Sequence, residues 1–245
     1  NDLAGAGTYD FIDTGTIGTD AIKVAIIFKP ASLTPFGSAA SLENVFPFNT
    51  NTRPPLAQAF QEIATGESFI LVVNHFKSKG SACDDLVNPD TGQPFPDPDT
   101  GDGQGNCNLT RVQAAMELID WLASDPTATG EDDILITGDL NAYAQEDPVV
   151  TLEAAGYTDM IESFHALSAY SFVFDGQAGY LDHALVSASL VAKVTGVTEW
   201  HINADEPRAL DYNDFNQPLL YNPDPFRAAD HDPLIIGLDL TAGGQ

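Results

Sequence analysis

The sequence predicts one mixed α/β domain spanning residues 1–245, and three observations carry that reading. Short runs rich in Val, Ile and Phe, bounded by turn residues, recur along the chain as strands do. They alternate with segments of helical periodicity rather than standing apart from them. No linker-like stretch divides the chain, and 245 residues suit one large domain.

The predicted strands are Ile22–Phe28, Phe69–Phe76, Asp133–Thr137, Tyr180–Val186 and Leu234–Leu240. FILVVNHF and ILITGDLN are continuous apolar runs, the pattern of central strands covered on both faces. The clearest helix is Arg111–Ser124, where Val112, Ala115, Met116, Ile119 and Leu122 recur at helical spacing and Asn108 or Thr110 can cap the start. A shorter helix is expected over Pro148–Ala155, stopped by Gly156. Two irregular stretches remain, Ser81–Asn106 and Asn203–Ala229, both rich in Asp and Pro. No run approaches the roughly 18–20 apolar residues that a membrane span needs.

The charge balance is extreme, with 36 acidic residues against 9 basic and a net charge of −27. Such a surface reads as a solubilising one, tolerable in salty water where screening is short-ranged. It excludes a protein that grips a polyanion over a broad face. Five of the nine cations nevertheless fall in or beside the polar motifs below: Arg53, Lys77, Lys79, Arg111 and Arg227. That placement suits reception of an anion by a few local charges. Cys83 and Cys107 flank the first irregular stretch, and a disulfide there is expected, worth roughly 3 kcal/mol. It implies an extracellular or periplasmic location. Calcium is a second reading for the Asp-rich loop, although its spacing is not that of a complete EF-hand.

Four polar clusters end apolar strands: Asn74–Lys79, Gly138–Asn141, Leu181–His183 and Asp230–Pro233. Charged groups at the ends of buried strands are costly unless paired, so each needs a partner. Asp139, Asn141 and Asp230 are hard oxygen donors that suit Mg²⁺ or Mn²⁺. A His paired with a carboxylate can move a proton near neutrality, and Asp182 with His231 is the candidate pair. His75 is placed to meet a phosphate oxygen, with Lys77, Lys79, Arg53 and Arg111 near flanking phosphates. His183 follows Asp182 on an alternating strand and is expected on the opposite face, buried. His165 and His201 are read as structural. Phe172, Phe174 and Tyr180 are read as core, with stacking on a base as the alternative.

ILITGDLNAY, GYLDHALVS and ADHDPLIIGL together resemble the signature motifs of the endonuclease/exonuclease/phosphatase family. VVNHFKSKG, TRPPLAQAF, the SACDD…GNCNLTR stretch and YSFVFDGQAGYLDHAL are similar to its bacterial secreted nucleases, over about Thr8 to Leu240. The resemblance implies two packed mixed β-sheets flanked by helices, a four-layer sandwich with the site at one rim. It implies a secreted, monomeric Mg²⁺- or Mn²⁺-dependent hydrolase acting on DNA, with RNA a second substrate. Asp139 and Asn141 would lie beside the metal and scissile phosphate, Asp230 would be a metal ligand, and His75 would bind that phosphate. Asp182 would orient His231, and either His is open as the base. The family's early strand-end Glu and upstream Asn have no match in Asn1–Pro30, so a first strand and one metal ligand are expected to lie upstream. Two other readings stay open: a phospholipid or small-phosphoester hydrolase, and a binding module with a degenerate metal site.

Overall fold

The computed structural model describes residues 1–165, 168–210 and 224–242. Much of the predicted irregular stretch Asn203–Ala229 lies outside them. In chain order the strands are β1 (Asp10–Phe11), β2 (Ile27–Phe28), β3 (Leu33–Ser41), β4 (Leu56–Glu62), β5 (Ser68–His75), β6 (Val87–Asn88) and β7 (Gln93–Pro94). After helix α1 (Asn108–Ala123) comes β8 (Ile134–Asp139), then α2 (Asp147–Ala154), β9 (Thr158–Asp159) and α3 (Met160–His165). The chain continues with β10 (Phe172–Phe174), β11 (Gln177–Gly179), β12 (Asp182–Val186), β13 (Val194–Glu199) and β14 (Leu234–Leu238).

Six strands form the central sheet in the order β3-β4-β5-β8-β12-β9. The two most apolar runs occupy its centre: β5 pairs parallel with β8, and β8 antiparallel with β12. Alternation along β5 sends Ile70 and Val72 to one core and Phe69, Leu71 and Val73 to the other. The first core is closed by Ala114, Ala115 and Leu118 of α1 and by Val149 and Leu152 of α2. The second is closed by Val194, Val197, Ile236 and Leu238 of the β13–β14 pair and by Val24, Ile26 and Phe28 around β2. The expected second sheet is therefore present as short antiparallel pairs, β1–β2 and β13–β14, facing a continuous first sheet.

Several boundaries differ from expectation for local reasons. Of the predicted strand Ile22–Phe28 only Ile27 and Phe28 enter a ladder; upstream, Lys23 turns its ammonium back onto Thr14 Oγ1 and the Gly15 carbonyl. Helix α1 starts three residues early, and its cap is neither Asn108 nor Thr110. Cys107 takes the cap position, and the buried carboxylate of Asp97 reaches in from the loop to accept the N–H groups of Leu109 and Thr110. β3, β4 and β13 escape a periodicity reading because LTPFGSAAS, LAQAFQE and VTGVTE are short of Val, Ile and Leu on one face.

The register fixes the site. His75 is opposite Asp139 across β5–β8, and Asp139 is opposite Asp182 across β8–β12. Gly138, one residue before Asp139, permits this close pairing. Its φ is 119°, and a Cβ there would lie 2.1 Å from the Asn74 carbonyl oxygen. Gly138→Ala is expected to destabilise the fold by about 3 kcal/mol or more, measured by denaturant unfolding; a loss under about 1 kcal/mol would contradict the tight register.

Candidate active site

Three strands bring His75, Asp139 and Asp182 level at one end of the sheet, all with the parity of the residues that face the β13–β14 layer. The turn leading into β14 adds His231. Its Nδ1 is 2.7 Å from Asp182 Oδ2, and its ring lies 4.6 Å from that of Phe172. His75 Nε2 is 3.6 Å from Asp139 Oδ2, while its Nδ1 is 3.1 Å from the Phe76 carbonyl, which fixes the ring. Asn141, at φ 49°, donates its backbone N–H to Asp139 Oδ1 (2.7 Å) and its amide to Asp139 Oδ2 (3.0 Å) and Phe76 O (3.1 Å). A non-glycine residue held in this left-handed region marks a turn fixed by its surroundings.

The electrostatics follow from two carboxylates sharing a poorly hydrated end of the sheet. Burial, and then the Asp182 charge, push the Asp139 carboxyl above the usual carboxylate range, against the pull of His231 and His75. Burial alone would push His231 down. The hydrogen bond and charge of Asp182, with the charges of Asp139 and Asp230, outweigh it and raise the imidazole to about 9. His231 is thus an imidazolium at neutral pH in the unliganded protein.

Three residues outside the predicted site set support this pair. Ser171, fully buried, donates Oγ–H to Asp182 Oδ2 at 2.7 Å, and its carbonyl accepts the Asp232 N–H at 2.8 Å. Asp232, next to His231, is buried and accepts the N–H groups of Ile202, Asn203 and Ala204, with His201 Nδ1 at 2.8 Å from its other oxygen. Asn203 donates its amide to the His231 carbonyl at 2.7 Å. The repeated Asp in DHD is a visible signal for Asp232; nothing in the sequence marks Ser171 or Asn203. His201 takes the structural part expected of it, stacked on Tyr170 with ring centroids 4.0 Å apart.

The cations divide. Lys77 is half-buried and makes no ion pair among the described residues; burial and then the Arg53 charge lower its ammonium. Arg53 also pairs with Asp20 at 2.9 Å. Lys79, also expected near a flanking phosphate, pairs with the buried Glu146 and lies over the Tyr143 ring. Arg111, expected near a flanking phosphate, directs its guanidinium onto backbone carbonyls. It is fully buried, donating to the carbonyls of Lys77, Asn106 and Gln104 at 3.2, 2.8 and 2.8 Å. It bolts the loop closed by the Cys83–Cys107 disulfide to the tail of β5. The core reading of the aromatic run also changes: Tyr180 is buried, but Phe172 is only half-buried and Phe174 is 62% exposed.

The donor set suits a divalent ion of the Mg²⁺ type but not a closed protein cage. No group of three His, Cys, Asp or Glu side chains converges among the described residues. Asp139 and Asn141 Oδ1 would hold an ion that keeps several waters. Asp230 is exposed beside His231. The Asp-rich loop gathers no such set either.

No family model matches the sequence, and no curated protein matches it. Solved structures of the same fold include an endonuclease/exonuclease/phosphatase from Bacteroides vulgatus, 15% identical, with 96% of this chain and 78% of that one aligned at a TM-score of 0.55. A mannosyl-6-phosphatase of Bacteroides thetaiotaomicron is 16% identical over 81% of this chain and 71% of its own, with a TM-score of 0.53. A 3'-5' exonuclease from Neisseria meningitidis is 15% identical over 87% and 74%, with a TM-score of 0.52. At these identities the likeness is one of fold.

Two outcomes are expected from the site as built. Arg111→Met removes the donor of three carbonyls and should cost about 3 kcal/mol of stability, while leaving KM for substrate within twofold; a large rise in KM at full folding would restore a phosphate role. By NMR, His231 should titrate at about 9, and Asp182→Asn should bring it to about 6.5 or below. Because the folded pKa lies above the unfolded value, the pair stabilises fully below about pH 6.5 and loses that contribution as pH rises through about 9. Stability should fall across this window in the wild type and not in Asp182→Asn.

Proposed function

We propose that this chain, built on the endonuclease/exonuclease/phosphatase fold, is a secreted, divalent-metal-dependent phosphodiesterase that cleaves DNA, with RNA a second substrate. The observation that carries the reading is the row of His75, Asp139 and Asp182 closed by His231. Two imidazole rings thus flank one acidic turn, a layout that suits attack on a phosphodiester by water from one side and charge relief on the other.

In the proposed reaction a water held by Asn141 and Asp139 attacks phosphorus. Asp139, its carboxyl already raised by burial and by Asp182, takes the water's proton. The new P–O bond forms as the bond to the leaving oxygen breaks. His231, entering as an imidazolium, offsets charge on the phosphate and gives its proton to the leaving oxygen, while Asp182 keeps the ring oriented. His75 Nε2 faces the same phosphate, and Lys77 with Arg53 receives the neighbouring one. A Mg²⁺ or Mn²⁺ at Asp139 and Asn141 would supply further charge neutralisation on the phosphate. Because the His231 charge is present before substrate arrives, much of the electrostatic stabilisation is preorganised.

The aromatic surface favours a nucleotide over a small phosphoester. Phe172 lies against His231, and Phe174 stacks on Phe172 at 6.3 Å while standing 62% exposed. A base or sugar beside the scissile phosphate would cover rings that otherwise stay in water. The Cys83–Cys107 disulfide supports an oxidising, extracellular setting. The acidic surface supports tolerance of salt, and the small set of cations supports local rather than broad capture of the polyanion.

The test is nicking of supercoiled plasmid with Mg²⁺ or Mn²⁺. Chelator should abolish it, and His231→Ala should lower kcat by about 10³-fold. Hydrolysis of sphingomyelin or a sugar phosphate without DNA cleavage would sink the reading. Since His231 acts protonated, kcat should decline above pH about 9; a rate still climbing there would make His231 the base instead.

A further inference from the structure

The strand that presents Asp182 also grips the acidic turn on both flanks of Asn141. Before it, the Leu140 N–H donates to the Leu181 carbonyl at 2.9 Å. After it, His183 Nε2 is 2.8 Å from the Ala142 carbonyl. Three consecutive residues therefore hold, in turn, one flank of Asn141, the His231 ring and the other flank of Asn141.

His183 is an expensive way to make that contact. It is fully buried, and its other nitrogen, Nδ1, lies 3.1 Å from the carboxylate of Asp159, itself 2% exposed. Asp159 is satisfied besides by the Ile161 N–H at 2.8 Å and the Tyr180 hydroxyl at 3.1 Å, while Glu153 and Glu162 stand near it. Buried polar pairings are often matched or exceeded in stability by apolar residues of the same volume at both positions. Both ring nitrogens face acceptors, a carboxylate and a carbonyl. The carbonyl belongs to the residue after Asn141, whose φ of 49° makes the direction of its side chain sensitive to that neighbour.

We infer that His183 is a positioning residue for the nucleophile side of the reaction. Its Nε2 contact fixes the Ala142 carbonyl and so aims Asn141 at the attacking water, while its Nδ1 contact with Asp159 anchors the ring. The inference rests on the phosphodiesterase reading and adds a residue that touches neither substrate nor metal. The two nitrogens have different effects, Nδ1 on stability and Nε2 on rate.

Two amide substitutions separate these effects. In His183→Asn the side-chain amide can reach only where Nδ1 was, toward Asp159. In His183→Gln it reaches the position of Nε2, toward Ala142. Both variants and the wild type are assayed on plasmid DNA and on bis(p-nitrophenyl) phosphate with Mg²⁺, with kcat expressed per folded molecule from near-UV circular dichroism. His183→Gln should keep kcat within threefold, with a lowered Tm. His183→Asn should lose kcat by about 100-fold, with KM within twofold. His183→Leu, which leaves the Asp159 carboxylate without its imidazole and should lower Tm, should lose rate per folded molecule as Asn does. Equal losses in Asn and Gln, or a Leu variant with wild-type kcat, would overturn the inference. A wild type active only on the small diester would overturn the nucleic-acid reading while leaving the His183 contrast measurable. Inactivity on both would overturn the two together.

Discussion

Two carboxylates, Asp139 and Asp182, stand opposite each other on adjacent strands at a poorly hydrated end of the sheet, and the rest of the site answers that placement. Two like charges so close cannot both ionise cheaply without a cation between or beside them. The protein supplies His231 on Asp182 and His75 near Asp139, and it raises His231 in doing so. The same demand sets both imidazole rings at the acidic end of the sheet, where the proposed phosphodiester would meet them. Gly138 is needed because the strands close tightly just before the pair, and Asn141 is bent because its turn must bring two N–H donors onto Asp139.

The remainder of the molecule supports this end. Ser171 and Asp232 join the Asp182 side to the His231 turn through buried hydrogen bonds. On the opposite flank, Arg111 and the disulfide hold the loop from Asp97 to Cys107 against the tail of β5, and with it Lys77. Buried polar networks are stabilising only when complete, and these hold nearly every member. The surface can then be strongly acidic, because the few cations that matter are fixed by geometry rather than by abundance.

How far the sequence is readable follows from this physics. The central strands are legible because burial on both faces demands unbroken apolar runs, and β5 and β8 carry them. The chemistry is legible because costly polar groups at strand ends are visible as local clusters. Their convergence is not, since it depends on register and on a parallel pairing of β5 with β8 that no local pattern encodes. The bonds of Arg111 are not legible, because an Arg beside a motif looks the same whether its guanidinium meets a phosphate or three carbonyls. Phe172 and Phe174 mislead because alternation on a two-stranded ribbon, unlike a covered sheet, leaves one side in water. β3 and β13 escape notice because LTPFGSAAS and VTGVTE are short of Val, Ile and Leu, and Ser171 because one buried hydroxyl leaves no pattern.

The central claim is that one phosphodiester sits over Asp139 between His75 and His231. A crystal structure with a short phosphorothioate oligonucleotide and Ca²⁺ in place of Mg²⁺ tests it most directly. The predicted result is one phosphorus within hydrogen-bonding reach of both imidazoles through its oxygens, the next near Lys77 and Arg53, and a base or sugar over Phe172. An oligonucleotide bound along another face, with the row of His75, Asp139 and Asp182 left to solvent, would contradict it.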